Sequence, residues 1–424
     1  MPPGNLFHGR WRSSIQGFDD CYYYFWLRSV MVDHDVDFSK DVACYNTWDP
    51  ATRDHVLFQE QRTSLGLIRN KYPVGWALSG VPWFMAADLV SGGLYLAGMH
   101  VPLDGWGRIY QAALMLGQAV YAFLSLWFAH QIITRLAPSR HTLPVMLLAW
   151  LASPLFIYQT IHLSMSHNVM FFAVTGAYYF CLRLSGKPEL WRYWVIAGFF
   201  CALTILVRYQ GALLLIYPAA LWLCIVIRQP RLLWQACLGG GCFLLTLLPQ
   251  LIAWKLLYGS FIVYSYAGEK FFWLHPHLWD VLFSPLHGWF NWHPAMAAGS
   301  LGFFYWVWRQ KSLIAWCFLA SYLAYMLTNA AWGTWWFGAS FGARAFEAST
   351  LFVMIGAAYV TGLSENSRIL FSSWLGIFLL LALWNLNLVW ITDRNGRAIS
   401  WEEPVTTCQK MDITMQFWSG RLSK

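Results

Sequence analysis

The chain carries 20 acidic residues, and nine of them crowd between Asp19 and Glu60. They fall in two patterns. Asp19 and Asp20 are adjacent and precede an aromatic run, Tyr22, Tyr23, Tyr24, Phe25 and Trp26. Asp33, Asp35 and Asp37 follow at alternate positions, which in extended backbone point the same way. Paired carboxylates in unlike environments divide acid and base roles between them. Hard cations such as Mg²⁺, Mn²⁺ or Ca²⁺ take oxygen ligands of this kind. The chemistry implied is a general base, Asp19 or Asp20, beside a divalent-metal or hydroxyl-binding cluster. The structural alternatives are a helix cap for Asp19–Asp20, and a solvated or calcium-like turn for the other three.

Cations and aromatic groups follow. Arg69 and Lys71 lie in IRNKYP, where they could bind a lipid phosphate or anchor the chain by snorkelling. His162 and His167 flank the turn SMSH, a weak spacing for a metal and a common one for packing. Arg208 in LVRYQG falls at a helix end where the charge bias of membrane proteins does not put it, which makes it a functional candidate. Two aromatic segments, 284–294 (SPLHGWFNWHP) and 332–347 (WGTWWFGASFGARAFE), could stack on sugar rings or anchor at headgroups. Arg344 stands three residues before Glu347, the spacing of a local ion pair; alone it would be a phosphate clamp.

The elements that hold these residues must live in a bilayer. Of 424 residues, 58% are hydrophobic and 11% charged, with a mean hydropathy of +0.44. Soluble chains carry roughly 25% charged residues. Apolar runs long enough to span read at 109–134, 142–162, 166–183, 191–208, 211–228, 232–256, 295–308, 312–331, 347–363 and 369–391. The links near Ser164 and Gln210 are tight enough to be breaks in longer helices. Every second connection is basic: Arg135 with Arg140, then Arg183 with Lys187 and Arg192, Arg228 with Arg231, Arg309 with Lys311, and Arg368. The positive-inside bias makes those connections cytoplasmic and turns residues 163–165, 209–210, 257–294 and 332–346 outward, with both termini. The same distribution accounts for the net charge of +8 without nucleic acid.

Residues 74–99 are also apolar enough to span, but a crossing there would reverse every later loop. They read instead as a helix or re-entrant segment at the outer interface. Three regions result: an extracytoplasmic first loop with interfacial helices (1–108), a transmembrane bundle (109–391) and an extracytoplasmic tail (392–424). The first loop needs a preceding helix to carry it outside, so a further helix upstream is expected. Met1 to Arg12 has no apolar core of a signal peptide. The spacing of Tyr23, Trp26 and Val30 predicts a surface-lying helix over 20–32 with Asp19 at its N-cap. The nine cysteines show no Cys-x-x-Cys; a Cys21–Cys44 disulfide is open in an oxidising compartment.

Taken in order, these motifs resemble the GT-C superfamily of polytopic glycosyltransferases, and specifically bacterial members like the family-39 protein O-mannosyltransferases. GFDDCYYYFWLRSVMVDHDVDF is similar to that group's first-loop pattern. NKYPVGWALSGVPWF is similar to its Lys-Tyr-Pro segment, and WFGASFGARAFE to its late Phe-Gly-x-Arg signature; SMSHN, LVRYQGALLL and SPLHGWFNWHP recur in similar order. The resemblance implies an all-α GT-C-like bundle with about ten transmembrane helices in a bacterial inner membrane. It implies inverting transfer of a sugar from a polyprenyl-phosphate donor to a glycan, lipid or protein hydroxyl, on the periplasmic or exterior face. Asp19 is then the base, with Asp20 in contention, and Asp33 with Asp35 the second acidic pair. Arg344, Arg208, Arg69, Lys71 and His167 would meet the donor phosphate. A Mg²⁺ or Mn²⁺ ion on Asp33, Asp35 and Asp37, or no metal at all, is compatible with the likeness. Two rival readings are a lipid or sugar transporter, which calls for ionisable groups at mid-span, and a non-catalytic assembly protein.

Overall fold

The structure, a computed structural model, describes residue 15 and residues 18–48, 61–266, 268–394, 399–400 and 403–421. Asp49, Asp54 and Glu60 of the acidic loop lie outside the described residues. Among the described residues the regular structure is helical, apart from isolated bridges pairing Arg62 with Ile68 and Phe271 with Trp332. The helices are α1 (Phe18–Arg28), α2 (Ser39–Trp48), α3 (Gly75–Leu96), α4 (Arg108–Leu136), α5 (Thr142–Leu151), α6 (Leu155–Thr160) and α7 (Ser166–Gly186). They continue with α8 (Trp191–Val207), α9 (Ile216–Arg228), α10 (Leu233–Tyr258), α11 (Pro294–Gln310), α12 (Leu313–Ala331), α13 (Thr350–Ser364), α14 (Arg368–Arg394) and α15 (Thr407–Trp418).

Among the described residues six helical stretches are long and apolar enough to cross a membrane: Arg108–Leu136, Ser166–Gly186, Tyr209–Arg228, Pro230–Tyr258, Leu313–Ala331 and Arg368–Arg394. Thr142–Leu151, Trp191–Val207 and Thr350–Ser364 are apolar but shorter. The expected span over 142–162 is broken into α5 and α6, with Pro154 at the break; proline lacks the N–H that a continuing helix needs. Helix α7 is buried on nearly every side and forms the centre of the bundle. Helices α10 and α14 instead turn Leu244, Leu245, Leu380 and Leu383 outward, the surface a bilayer covers.

The basic connections converge. Arg135 donates to the Leu182 carbonyl at 2.7 Å, Glu365 accepts from the Ser139 hydroxyl at 2.6 Å, and Trp306 donates to the Leu136 carbonyl at 3.2 Å. The remaining connections meet at the other end. There the Phe341 amide donates to the Tyr158 hydroxyl at 3.1 Å, and Lys410 of α15 donates to Asn291 at 3.0 Å. The bundle has one basic end and one aromatic end.

The first loop departs from expectation. Residues Tyr22 to Leu27 are all buried, so α1 is a core helix rather than one lying on a surface. Aromatic residues run round its whole circumference, and such a helix has no polar side to give to water. It packs beneath α3, which begins where Gly75 crosses the end of α8. A Cβ at Gly75 would sit 2.4 Å from the Leu206 backbone, so only glycine permits that approach. The far side of α3 exposes Met85, Leu89, Val90 and Leu96. Cys21 is buried and Cys44 is exposed, and no disulfide joins the two.

Candidate functional site

Asp19 does not cap α1; it lies within the first turn and points into a cavity at the aromatic end. The Tyr72 hydroxyl donates to its Oδ1. Arg344 Nη2 lies 3.0 Å from its Oδ2. The cavity, of about 270 Å³, is lined by Asp19, Tyr23, Lys71, Arg208, Glu269 and Arg344, with Trp332 and Phe337 among its aromatic walls. Three of the sequence-predicted cations therefore share one space with the predicted base.

Each side chain arrives from a different element. Tyr72 and Lys71 precede α3, whose start is fixed by the close crossing at Gly75. Arg208 terminates α8, where its backbone leaves the helix in extended geometry. Arg344 opens a short 3₁₀ turn, Arg344–Phe346, after the segment WFGASFG. That segment bends sharply: Phe337, Gly338 and Gly342 all have positive φ. A Cβ at Gly342 would lie 2.2 Å from His293 Nε2, so glycine is required there on both counts. Phe337 tolerates its left-handed backbone because its ring is buried against Trp332 and Phe346.

The charges come in pairs. Lys71 Nζ donates to Glu269 Oε1 at 2.6 Å and lies over the rings of Tyr72 and Tyr266. Behind the cavity wall, Arg208 Nε lies 3.4 Å from Glu347 Oε1. His167 Nδ1 lies 3.4 Å from Glu347 Oε2, and Arg208 Nη2 also reaches the Ser166 hydroxyl at 3.3 Å. The local pair expected between Arg344 and Glu347 does not form. Across the 3₁₀ turn the two side chains diverge, Arg344 to Asp19 and Glu347 to Arg208. Glu347 is the residue that sequence reasoning missed. It is fully buried and does not line the cavity.

Burial alone would raise the Asp19 pKa. The Arg344 guanidinium, the Tyr72 hydroxyl and the Lys71 and Arg208 charges outweigh it and hold the carboxyl below its ordinary value. Burial opposes the Arg344 charge too, but Asp19 outweighs it and the guanidinium pKa rises. For Glu347 burial wins over Arg208, and its pKa is pushed up to about 7. One carboxylate is held ionised and the other is poised to bind a proton.

The remaining predicted residues lie elsewhere. Asp20 is buried and accepts from the Ser164 hydroxyl at 2.6 Å. Arg69 donates to the Ser265 carbonyl at 3.0 Å and does not line the cavity. His167 stands behind Arg208, fully buried. Asp33 closes a π-helical turn, Ser29–Asp33, rather than extended chain, and it shares Lys40 with Asp35, each 3.7 Å from the ammonium. Asp33 binds Arg28. Asp35 accepts from the Ser29 hydroxyl at 2.9 Å, and Asp37 from the Ser39 amide and hydroxyl at 3.1 and 2.6 Å. Arg28 also reaches the buried Asp41 at 3.2 Å. Among the described residues no three His, Cys, Asp or Glu side chains gather as a metal site, so these three aspartates do not fit the ligand role expected of them.

No protein-family model matches the chain, and no curated protein matches it in sequence. Among solved structures it is similar to the crystal structure of the Archaeoglobus fulgidus oligosaccharyltransferase in the apo form. That similarity covers 91% of this chain and 52% of the other, at 13% identity and a TM-score of 0.45. The chain thus spans about half the length of that protein.

Proposed function

We propose that the protein is a membrane glycosyltransferase of the GT-C type, resembling the family-39 group in its motifs. It moves a sugar from a polyprenyl-phosphate donor to an acceptor hydroxyl at the aromatic end of the bundle. One observation carries this reading: a carboxylate held ionised, Asp19, shares a single cavity with three cations, Arg344, Arg208 and Lys71. A phosphate-linked donor needs cations for its leaving group, and the acceptor hydroxyl needs a base.

The chemistry is a single displacement. The acceptor oxygen attacks the anomeric carbon, and its proton passes to Asp19. The bond from that carbon to the phosphate oxygen breaks, and polyprenyl phosphate leaves with the electron pair. Arg344, Arg208 and Lys71 stabilise the charge that grows on the leaving phosphate. Paired with Asp19, Arg344 suppresses its basicity. As charge grows on the leaving phosphate in the transition state it competes for Arg344, and only then does the carboxylate regain its affinity for a proton. One displacement inverts the anomeric centre. The basic connections would face the cytoplasm and the cavity the periplasm or exterior of a bacterial inner membrane. The transporter reading is less well supported, since the charged groups gather at the two ends of the bundle rather than along its interior.

The test is transfer itself. Purified full-length protein in lipid is offered a panel of polyprenyl-phosphate hexoses and pentoses, with glycan, lipid and peptide acceptors. Product formed with inverted anomeric configuration supports the reading. Transport of donor across the vesicle wall without product would replace it with the transporter.

A further inference from the structure

The cavity and the layer behind it hold three cation–carboxylate pairs: Asp19 with Arg344, Glu269 with Lys71, and Glu347 with Arg208. These six charges balance. A phosphodiester entering the cavity adds one negative charge to a buried cluster, and a buried excess charge is neutralised by proton uptake rather than tolerated. The three carboxylates differ in how readily they accept that proton. Asp19 takes a hydrogen bond from Tyr72 and the Arg344 contact. Glu269 takes the Lys71 ammonium at 2.6 Å and is partly exposed. Glu347 is fully buried, and its contacts at 3.4 Å are ionic, without hydrogen-bond geometry at either oxygen.

We propose that Glu347 is the resident counter-anion of Arg208, and that an anionic phosphodiester in the cavity takes over this role while Glu347 takes up a proton. The proposal rests on the reading that Arg208 meets the donor phosphate. Arg208 has the position for it: its guanidinium lines the cavity on one side and faces Glu347 on the other. Once a phosphate engages the cavity side, the Glu347 charge stands behind the same cation as a second anion. Protonation removes that repulsion and leaves a neutral acid.

The groups facing Glu347 are Arg208 from the end of α8, His167 from α7, Arg344 from its own turn and Tyr325 from α12. His167 lies within 3.3 Å of Arg208, so a proton there would set two cations side by side. Tyr325 is already neutral as a phenol. Glu347 is therefore the group that titrates. Its upward shift to about 7 places the event near neutral pH. The sign follows from linkage: if binding favours protonated Glu347, protonation favours binding, and affinity falls as pH rises through that region.

The probe is dibutyl phosphate, a phosphodiester whose charge is constant over this range. Calorimetry on the full chain in detergent, at pH 8 in two buffers of different ionisation enthalpy, counts protons taken up on binding. Wild type takes up close to one, and its affinity falls about 20-fold from pH 6.5 to pH 8.5. Glu347→Gln takes up none and binds with the same affinity across that range. Glu347→Asp retains the pH dependence, and serves if the glutamine variant does not fold. Binding to wild type without proton uptake overturns the proposal, as does the same pH slope in Glu347→Gln, or no binding of the probe. Wild type that binds with proton uptake but transfers no sugar from any donor sinks the glycosyltransferase reading and leaves this proposal standing.

Discussion

Asp19 and the aspartates from Asp33 to Asp41 belong to one acidic loop, yet their partners differ in kind. Asp19 meets Tyr72 and Arg344, which come from other parts of the chain. Asp33 and Asp41 share Arg28, Asp35 bonds Ser29 and Asp37 bonds Ser39, all within the loop itself. The second set is a knot that folds the loop. Arg28 extends the knot by donating to the Asp104 carbonyl at 2.9 Å, which ties it to the approach to α4. The first set is a meeting of separate elements around an open cavity. A carboxylate whose partners are local stabilises local structure; one whose partners come from several elements marks the place where those elements expose chemistry.

Substitutions in the two regions separate them. The largest effect is expected from Arg344→Gln, which removes a phosphate contact and frees Asp19 from its ion pair. Transfer measured as kcat/KM falls by about 100-fold or more, with thermal stability nearly unchanged. Arg28→Gln does the reverse. It leaves Asp41 buried without its cation, and breaking such a pair costs about 3 kcal/mol; the unfolding midpoint drops while kcat of the folded fraction holds.

A subtler effect concerns pH. Burial, opposed by Arg28, pushes Asp41 up to about 7, above the ordinary 3.8. A group with a raised folded-state pKa lends stability that is complete at low pH and lost as pH rises through that value. The unfolding temperature therefore falls between pH 6 and pH 8, and in Asp41→Asn it falls less, by roughly 2 °C. The smallest effect is expected for metal. Mg²⁺ and Mn²⁺ titrations of transfer by wild type and Asp35→Asn superimpose, because Asp35 is engaged by Ser29 and the Asp37 amide. A shifted curve for Asp35→Asn would return the acidic triad to the site.

Much of the bundle was legible in the sequence, since apolar runs of membrane length and alternating basic loops are strong, additive signals. The kink at Pro154 was visible as a proline but hidden inside a continuous apolar run. The burial of α1 was missed because Tyr23, Trp26 and Val30 suggested one apolar face, whereas the neighbouring Tyr22, Tyr24 and Phe25 supply the others. The triad at 33, 35 and 37 reads as extended chain, whereas Asp33 closes a π-helical turn and all three aspartates take local partners. Arg344, Arg208, Lys71 and Asp19 each stood out by residue type and place. Glu347 did not, because the local rule pairs it with Arg344, and only the folded chain sets it against Arg208 and His167.

The central claim is that Asp19 is the base in a cavity whose cations hold the donor phosphate. It is tested most directly by steady-state transfer with Asp19→Asn beside Asp33→Asn. The account predicts that Asp19→Asn loses at least about 100-fold in kcat while donor KM changes little, and that folded Asp33→Asn keeps most of its kcat. A folded Asp19→Asn protein that transfers sugar at the wild-type rate would contradict it.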